Sequence, residues 1–155
     1  MNSHVFKNPR LIRHFLISAG VLLLLTGLAK IVSASGSSAA LQKTDPVLAV
    51  SFRRLFFFTG LCESLVAYVC FFGKGVGLQA GLVAWLASNF VIYRLCLIFL
   101  NYRGPCNCLG NLTQTLHIPA HTADTAMKVI LGYLVIGSYA TLFRLWREKK
   151  HKPVL

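Results

Sequence analysis

Apolar residues along this chain gather into four long blocks, set apart by short polar stretches rich in Gly, Ser, Pro or charge. In windows of about 19 residues the blocks run over roughly 14–33, 54–73, 77–100 and 124–146. Each lies near the ~20 residues a helix needs to cross the hydrocarbon of a bilayer. The pattern predicts an all-α integral membrane four-helix bundle, with residues 1–155 forming a single transmembrane domain. The connection at 33–51, "SASGSSAALQKTDPVLAVS", reads as an external loop with a turn at Pro46. "GKGVG", at 73–77, reads as a tight hairpin that makes the second and third spans antiparallel neighbours. The fourth span opens with "HTADT", where Thr122 suits an N-cap, Asp124 suits the positive end of the helix dipole, and Asp124 and Lys128 stand at i, i+4.

Composition agrees with the pattern. The chain is 55% hydrophobic and 13% charged, with a mean hydropathy of +0.63, too apolar for a soluble domain of this length. A net charge of +12 would suit nucleic acid, but the 16 Lys and Arg sit at span ends and form no basic stripe, so nucleic acid is not an expected partner and membrane lipid is. The side with both termini and the 73–77 turn carries nine basic residues against seven elsewhere, several of the seven being inside or at the edge of a span. The positive-inside rule then puts both termini in the cytoplasm, as in a multi-pass protein of a bacterial inner membrane, and turns the 101–123 loop outward. The basic start, apolar core and small residues of 1–36 also outline a secretory signal peptide; Lys30 interrupts the cleavage region and favours a retained helix.

Charge inside a span needs a reason. Glu63 falls about ten residues, roughly 15 Å, into the second span, where a carboxylate is costly unless paired, protonated or hydrated. The available cations are Lys30, near the outer end of the first span, and Arg94 in the third, and the three can meet in the outer half of the bundle if those spans are neighbours. Gly60, Ala67 and Cys70 share the face of Glu63, which marks that face as inward. Such a group serves either as a proton- or electron-coupling site or as an ion pair that fixes helix register. Asn89, Tyr93 and Cys96 form a second inward set at i, i+4, i+7, best read as interhelical hydrogen bonding plus a small thiol, with Cys96 also in reach of the outer loop as a third thiol. Cys62 and Cys70 lie deeper and read as inert. Gly77, Gly81, Ala84 and Ser88 make a small-residue stripe suited to close helix packing. "TGLAK" (26–30) echoes "TGLCE" (59–63), too briefly to mark a repeat.

The outer loop "RGPCNCLGNLTQTLHIPAHTADT" (103–125) is the most polar long stretch and carries Cys106 and Cys108 one residue apart. A disulfide between them closes a small ring away from the preferred dihedral, which suits exchange better than stapling. Pro105 and Gly110 place the pair in an exposed turn, on the side where disulfides persist. A metal is the rival use: Cys106, Cys108, His117 and His121 are all soft or borderline ligands. Against it stand the tight Cys-x-Cys step, the proline between the two His, and the oxidising location. No Cys-x-x-Cys, haem-attachment motif, phosphate loop or hydrolase triad appears, and these motifs leave the cofactor unknown.

"SAGVLLLLTGLAKI" (18–31), "GLCESLVAYVCFFGK" (60–74) with its G-x-x-E, and a Cys pair before the last span together resemble the MauE/DoxX group of bacterial four-helix membrane proteins, over about residues 13–146. The resemblance implies thiol–disulfide or quinone-linked redox work at the membrane: MauE is associated with methylamine utilisation and the maturation of a disulfide-rich periplasmic enzyme, DoxX relatives with sulfur oxidation and redox stress. It carries functional expectations onto Glu63, Lys30, Cys106 and Cys108. The expected activity is exchange through Cys106 and Cys108 with a periplasmic thiol or disulfide protein or redox enzyme, with Cys96 or a quinone as onward carrier. The alternative is a non-catalytic membrane subunit or chaperone whose Cys pair is structural.

Overall fold

The structure, a computed structural model, describes residues 9–36, 39–42, 44–101 and 120–150. Within them stand four long helices: α1 (Pro9–Ser35), α2 (Phe52–Phe72), α3 (Val76–Phe99) and α4 (Ala120–Lys150), with a short 3-10 helix at Ala39–Gln42. All four are long and apolar enough to cross a membrane. Helices are the expected answer, because hydrocarbon offers no partner to a free N–H or C=O and a helix satisfies its own. The bundle is all-α, as the apolar blocks predict.

α1 and α4 overrun their blocks at the polar ends. α1 begins at Pro9, where a missing N–H costs nothing, and α4 runs on to Lys150. Apolar windows report only the length in hydrocarbon, whereas a helix continues wherever its backbone remains satisfied. Thr122 is therefore no N-cap, since α4 starts two residues earlier, at Ala120.

α2 stops at Gly73, whose extended backbone (φ −68°, ψ 144°) turns the chain. Gln79, buried on α3, then reaches back across the turn: its Nε2 donates to the carbonyls of Val69 at 3.0 Å and Gly73 at 2.8 Å, with Cys70 O at 3.3 Å. These carbonyls belong to the last turn of α2 and the residue after it, where α2 itself offers few donors. One amide thus ties the hairpin together.

The bundle is two pairs rather than four equal neighbours. α1 packs along α2, α3 packs along α4, and contacts between the pairs are sparse. The expectation that α2 and α3 are close neighbours holds only in part: they are joined and antiparallel, yet each makes its main interface with another helix. Glycine explains the α1–α2 approach. A Cβ on Gly27 would stand 2.8 Å from the backbone O of Gly60, and one on Gly60 would stand 2.7 Å from that of Gly27, so only glycine fits at either place. The stripe on α3 behaves differently, since Gly81 has nothing within 4 Å and Gly77 meets only the end of Leu145 at 3.9 Å.

Where the pairs meet, Ala19 and Leu23 of α1, Val66 and Ala67 of α2, Val83, Leu86 and Ala87 of α3, and Leu134 of α4 form the core. Outward, Leu25, Phe58, Phe72, Ile98 and Ile136 stay exposed, as lipid-facing side chains should.

Candidate functional site

The two echoing pentapeptides cross each other. Gly27 and Gly60 mark the crossing, and because α1 and α2 are antiparallel, each glycine lies beneath the charged residue of the opposite segment. The Cβ of Glu63 faces the Gly27 position at 3.1 Å, and the Cβ of Lys30 faces the Gly60 position at 3.2 Å. The two charged side chains then meet, Lys30 Nζ donating to Glu63 Oε1 with both residues almost wholly buried. The Thr of each segment donates back to its own helix, Thr26 to Leu22 O at 3.0 Å and Thr59 to Leu55 O at 2.7 Å. A resemblance of five residues, too short to mark a duplication, is a self-complementary crossing in three dimensions.

The ion pair is not closed on itself. Lys30 Nζ also stands 4.8 Å from the centre of the Phe90 ring on α3, in cation–π range. Glu63 Oε2 is buried with no hydrogen-bond partner among the described residues. A buried carboxylate oxygen in that state keeps an acceptor for a further donor, and without one its desolvation is uncompensated.

Both residues line a cavity of about 430 Å³ in the seam between the helix pairs. Its walls are mostly aliphatic and aromatic: Leu22 and Leu23 from α1, Phe52 and Phe56 from α2, Phe90 and Leu97 from α3, Ile130 and Leu134 from α4. Polar groups are few, with Lys30, Glu63, Thr26 and Thr59 on one side and Asn89, Tyr93 and Arg94 on the other. This mix, apolar walls with a small number of placed polar groups, is the make-up of small-molecule sites. From Leu22, Leu23 and Leu134 near the middle of their helices, the cavity extends toward the end of the bundle where the 36–51 and 101–119 connections emerge.

The connection before α2 covers that end. Asp45, 1% exposed, accepts from the backbone N–H groups of Val47 at 2.9 Å and Leu48 at 2.8 Å, folding 45–48 into a turn around its side chain. Its other oxygen accepts from the Tyr93 hydroxyl of α3. An antiparallel bridge from Thr44 to Ser51 closes the loop's base, and Val47 and Leu48 face the cavity. The Pro46 turn is where the sequence places it; the carboxylate that organises it carried no signal beyond "DP".

Of the sequence-predicted set, Lys30 and Glu63 pair as expected. Arg94 lines the same cavity but its guanidinium pairs with Asp124 of α4 at 3.1 Å, so the three do not form one cluster. The reason is position: Asp124 begins α4's apolar stretch at the level of Arg94, on the helix against which α3 packs. Asp124 also takes Lys128 at 2.7 Å, the i, i+4 pair. Asn89 donates to Trp85 O of its own helix at 2.8 Å, so the hydrogen bonding between helices falls elsewhere: Ser88 with Tyr139 at 2.9 Å and Ser18 with Tyr133 at 2.6 Å. Cys96 is a free thiol on the cavity wall, Cys70 is free and buried, and Cys62 is free but faces outward.

Cys106, Cys108 and His117 lie outside the described residues, as does the side chain of His121. Among the described residues no group of three His, Cys, Asp or Glu is placed to hold a metal. No protein-family model, curated protein or solved structure matches the chain.

Proposed function

We propose that this protein is a MauE/DoxX-type membrane redox protein that exchanges electrons between partner thiols outside the cytosol and a lipid-soluble carrier. Cys106 and Cys108 are the exchanging pair, and the outer cavity takes the carrier, a quinone. The observation that carries the reading is the cavity itself. It is apolar, sized for a ring with part of its tail, and furnished at one wall with a cation and a carboxylate that has a free acceptor. The covalent chain supplies the rest. Four residues stand between Asn101 and Cys106, five Cα steps with a reach of at most about 18 Å, which bounds how far that thiol can lie from the end of α3.

The chemistry balances without a further reagent. A partner thiolate attacks the Cys106–Cys108 disulfide at one sulfur and releases the other as a thiolate. The partner's second thiol displaces the mixed disulfide, leaving the partner oxidised and the pair reduced. Two electrons and two protons then pass to the quinone, which leaves as quinol while the Cys106–Cys108 disulfide reforms. Lys30 is the donor suited to a quinone oxygen, and Glu63 the group suited to carrying the proton. Charge distribution supports the orientation this requires, with the termini in the cytoplasm of a bacterial inner membrane.

The test is a trapping experiment in whole cells. Cys108→Ser is expected to accumulate a mixed disulfide through Cys106, visible as a reductant-sensitive higher-mass band, and purified wild type is expected to convert quinone to quinol with a dithiol donor. A Cys106/Cys108 pair that never changes redox state, together with full function of Cys106→Ser, would instead identify a structural membrane subunit.

A further inference from the structure

A second pocket, about 500 Å³, lies at the opposite end of the bundle, between the start of α1, the α2–α3 turn and the last turns of α4. We propose that it binds the phosphate of an anionic phospholipid headgroup. Three separate segments each bring a cation to it: Arg13 from α1, Lys74 from the turn and Arg144 from α4, against the single carboxylate of Glu148. The cation at the centre of the argument is Arg144. Its Nε donates to Glu148 Oε1 at 3.0 Å, which fixes the plane of the guanidinium, while its Nη1 is buried with no hydrogen-bond partner among the described residues.

A buried guanidinium N–H calls for an acceptor, and it never loses its proton to escape the need. Phosphate oxygens suit a planar fork held from behind in this way. Depth points to a lipid as their source. Arg144 is twenty residues beyond Asp124, about 30 Å along the helix, which places it across the hydrocarbon thickness and at headgroup level. Ile17, Phe71 and Leu145 line the same pocket, and Ile17 and Phe71 are themselves substantially exposed, so the cations stand beside surface that acyl chains would cover. Choline and ethanolamine headgroups would bring their own cation against three others; a glycerol headgroup would not. Basic pockets between transmembrane helices are a known form of such recognition.

Native mass spectrometry of the full-length protein in detergent tests this, with phosphatidylglycerol and phosphatidylcholine of the same acyl chains offered in competition. One phosphatidylglycerol is expected to be retained in preference, and Arg144→Gln to weaken its retention by about fivefold. Lys74→Gln, on the exposed turn, should do the same and keeps the test alive if Arg144→Gln fails to fold. Equal retention of the two lipids, or phosphatidylglycerol retained unchanged by both variants, would overturn the proposal. Adding inorganic phosphate at millimolar concentration separates the sources: an undisturbed adduct supports the lipid, and a displaced one overturns it in favour of a soluble anion.

Discussion

The α1–α2 pair and the α3–α4 pair are built on different principles. In the first, two glycines bring backbones into contact and a buried Lys30–Glu63 pair is set over them. In the second, the helices are linked by side chains that reach, Ser88 to Tyr139 and Arg94 to Asp124, and its glycines do not join the two helices: Gly81 and Gly132 have nothing within 4 Å, and Gly137 of α4 lies under the Phe15 ring of α1. Lipid gives helices no hydrophobic reason to associate, so packing and polar contacts must supply it. One pair uses close packing with a charge at its centre, the other uses longer polar links. The cavity lies where these two halves fail to fill the space between them.

The difference can be broken most severely at the charges. Glu63→Leu leaves Lys30 buried without its carboxylate and is expected to cost about 3–5 kcal/mol, read from unfolding in mixed micelles. Lys30→Met with Glu63→Leu should recover most of that loss, because an apolar pair of similar volume has no desolvation to offset. Recovery of stability without recovery of the proposed electron transfer would assign the pair to function; a double variant no better than the single would show that the charges are not coupled.

A smaller effect is expected at the crossing. Gly27→Ala or Gly60→Ala forces the helices apart against backbone oxygen and should destabilise by about 1–3 kcal/mol. Gly81→Ala and Gly132→Ala, in open space, should change stability by no more than about 1 kcal/mol and in the stabilising direction, because alanine is the better helix former. Equal costs at all four positions would erase the distinction between the pairs. Smallest of all, Tyr139→Phe removes one interhelical hydrogen bond of the α3–α4 pair, with an expected loss of about 0.6 kcal/mol in the same unfolding assay.

Hydropathy alone carries the architecture here, because four apolar blocks in a chain this short leave little else to build. Charge in hydrocarbon made Lys30 and Glu63 visible for the same reason: each is costly there, and the cost implies a partner. Arg94 shows the limit of that reasoning. Its need for a partner is legible, but Asp124 and Glu63 both answer it, and only the packing of α3 on α4 chooses between them. Small residues mislead in a related way. A stripe such as Gly77, Gly81, Ala84 and Ser88 permits close approach without requiring it, whereas Gly27 and Gly60, with Ser64 one turn beyond Gly60, make the contact. Asp45 stayed hidden because turn chemistry describes backbone, and its tie to Tyr93 spans 48 residues. The thiols on which the proposed exchange depends fall outside the described residues, so their part in the site rests on sequence and tether length.

The short loop held by Asp45 bears on how anything would get in or out. Among the described residues, two of that carboxylate's bonds stay within the loop, to Val47 and Leu48, and one leaves it, to Tyr93. A flap assembled like this keeps its shape when lifted: its internal bonds travel with it, and the hydrogen bond to α3 is one that has to part. Opening at the cavity mouth would then call less on unfolding of the loop than on release of that phenol hydroxyl from the carboxylate.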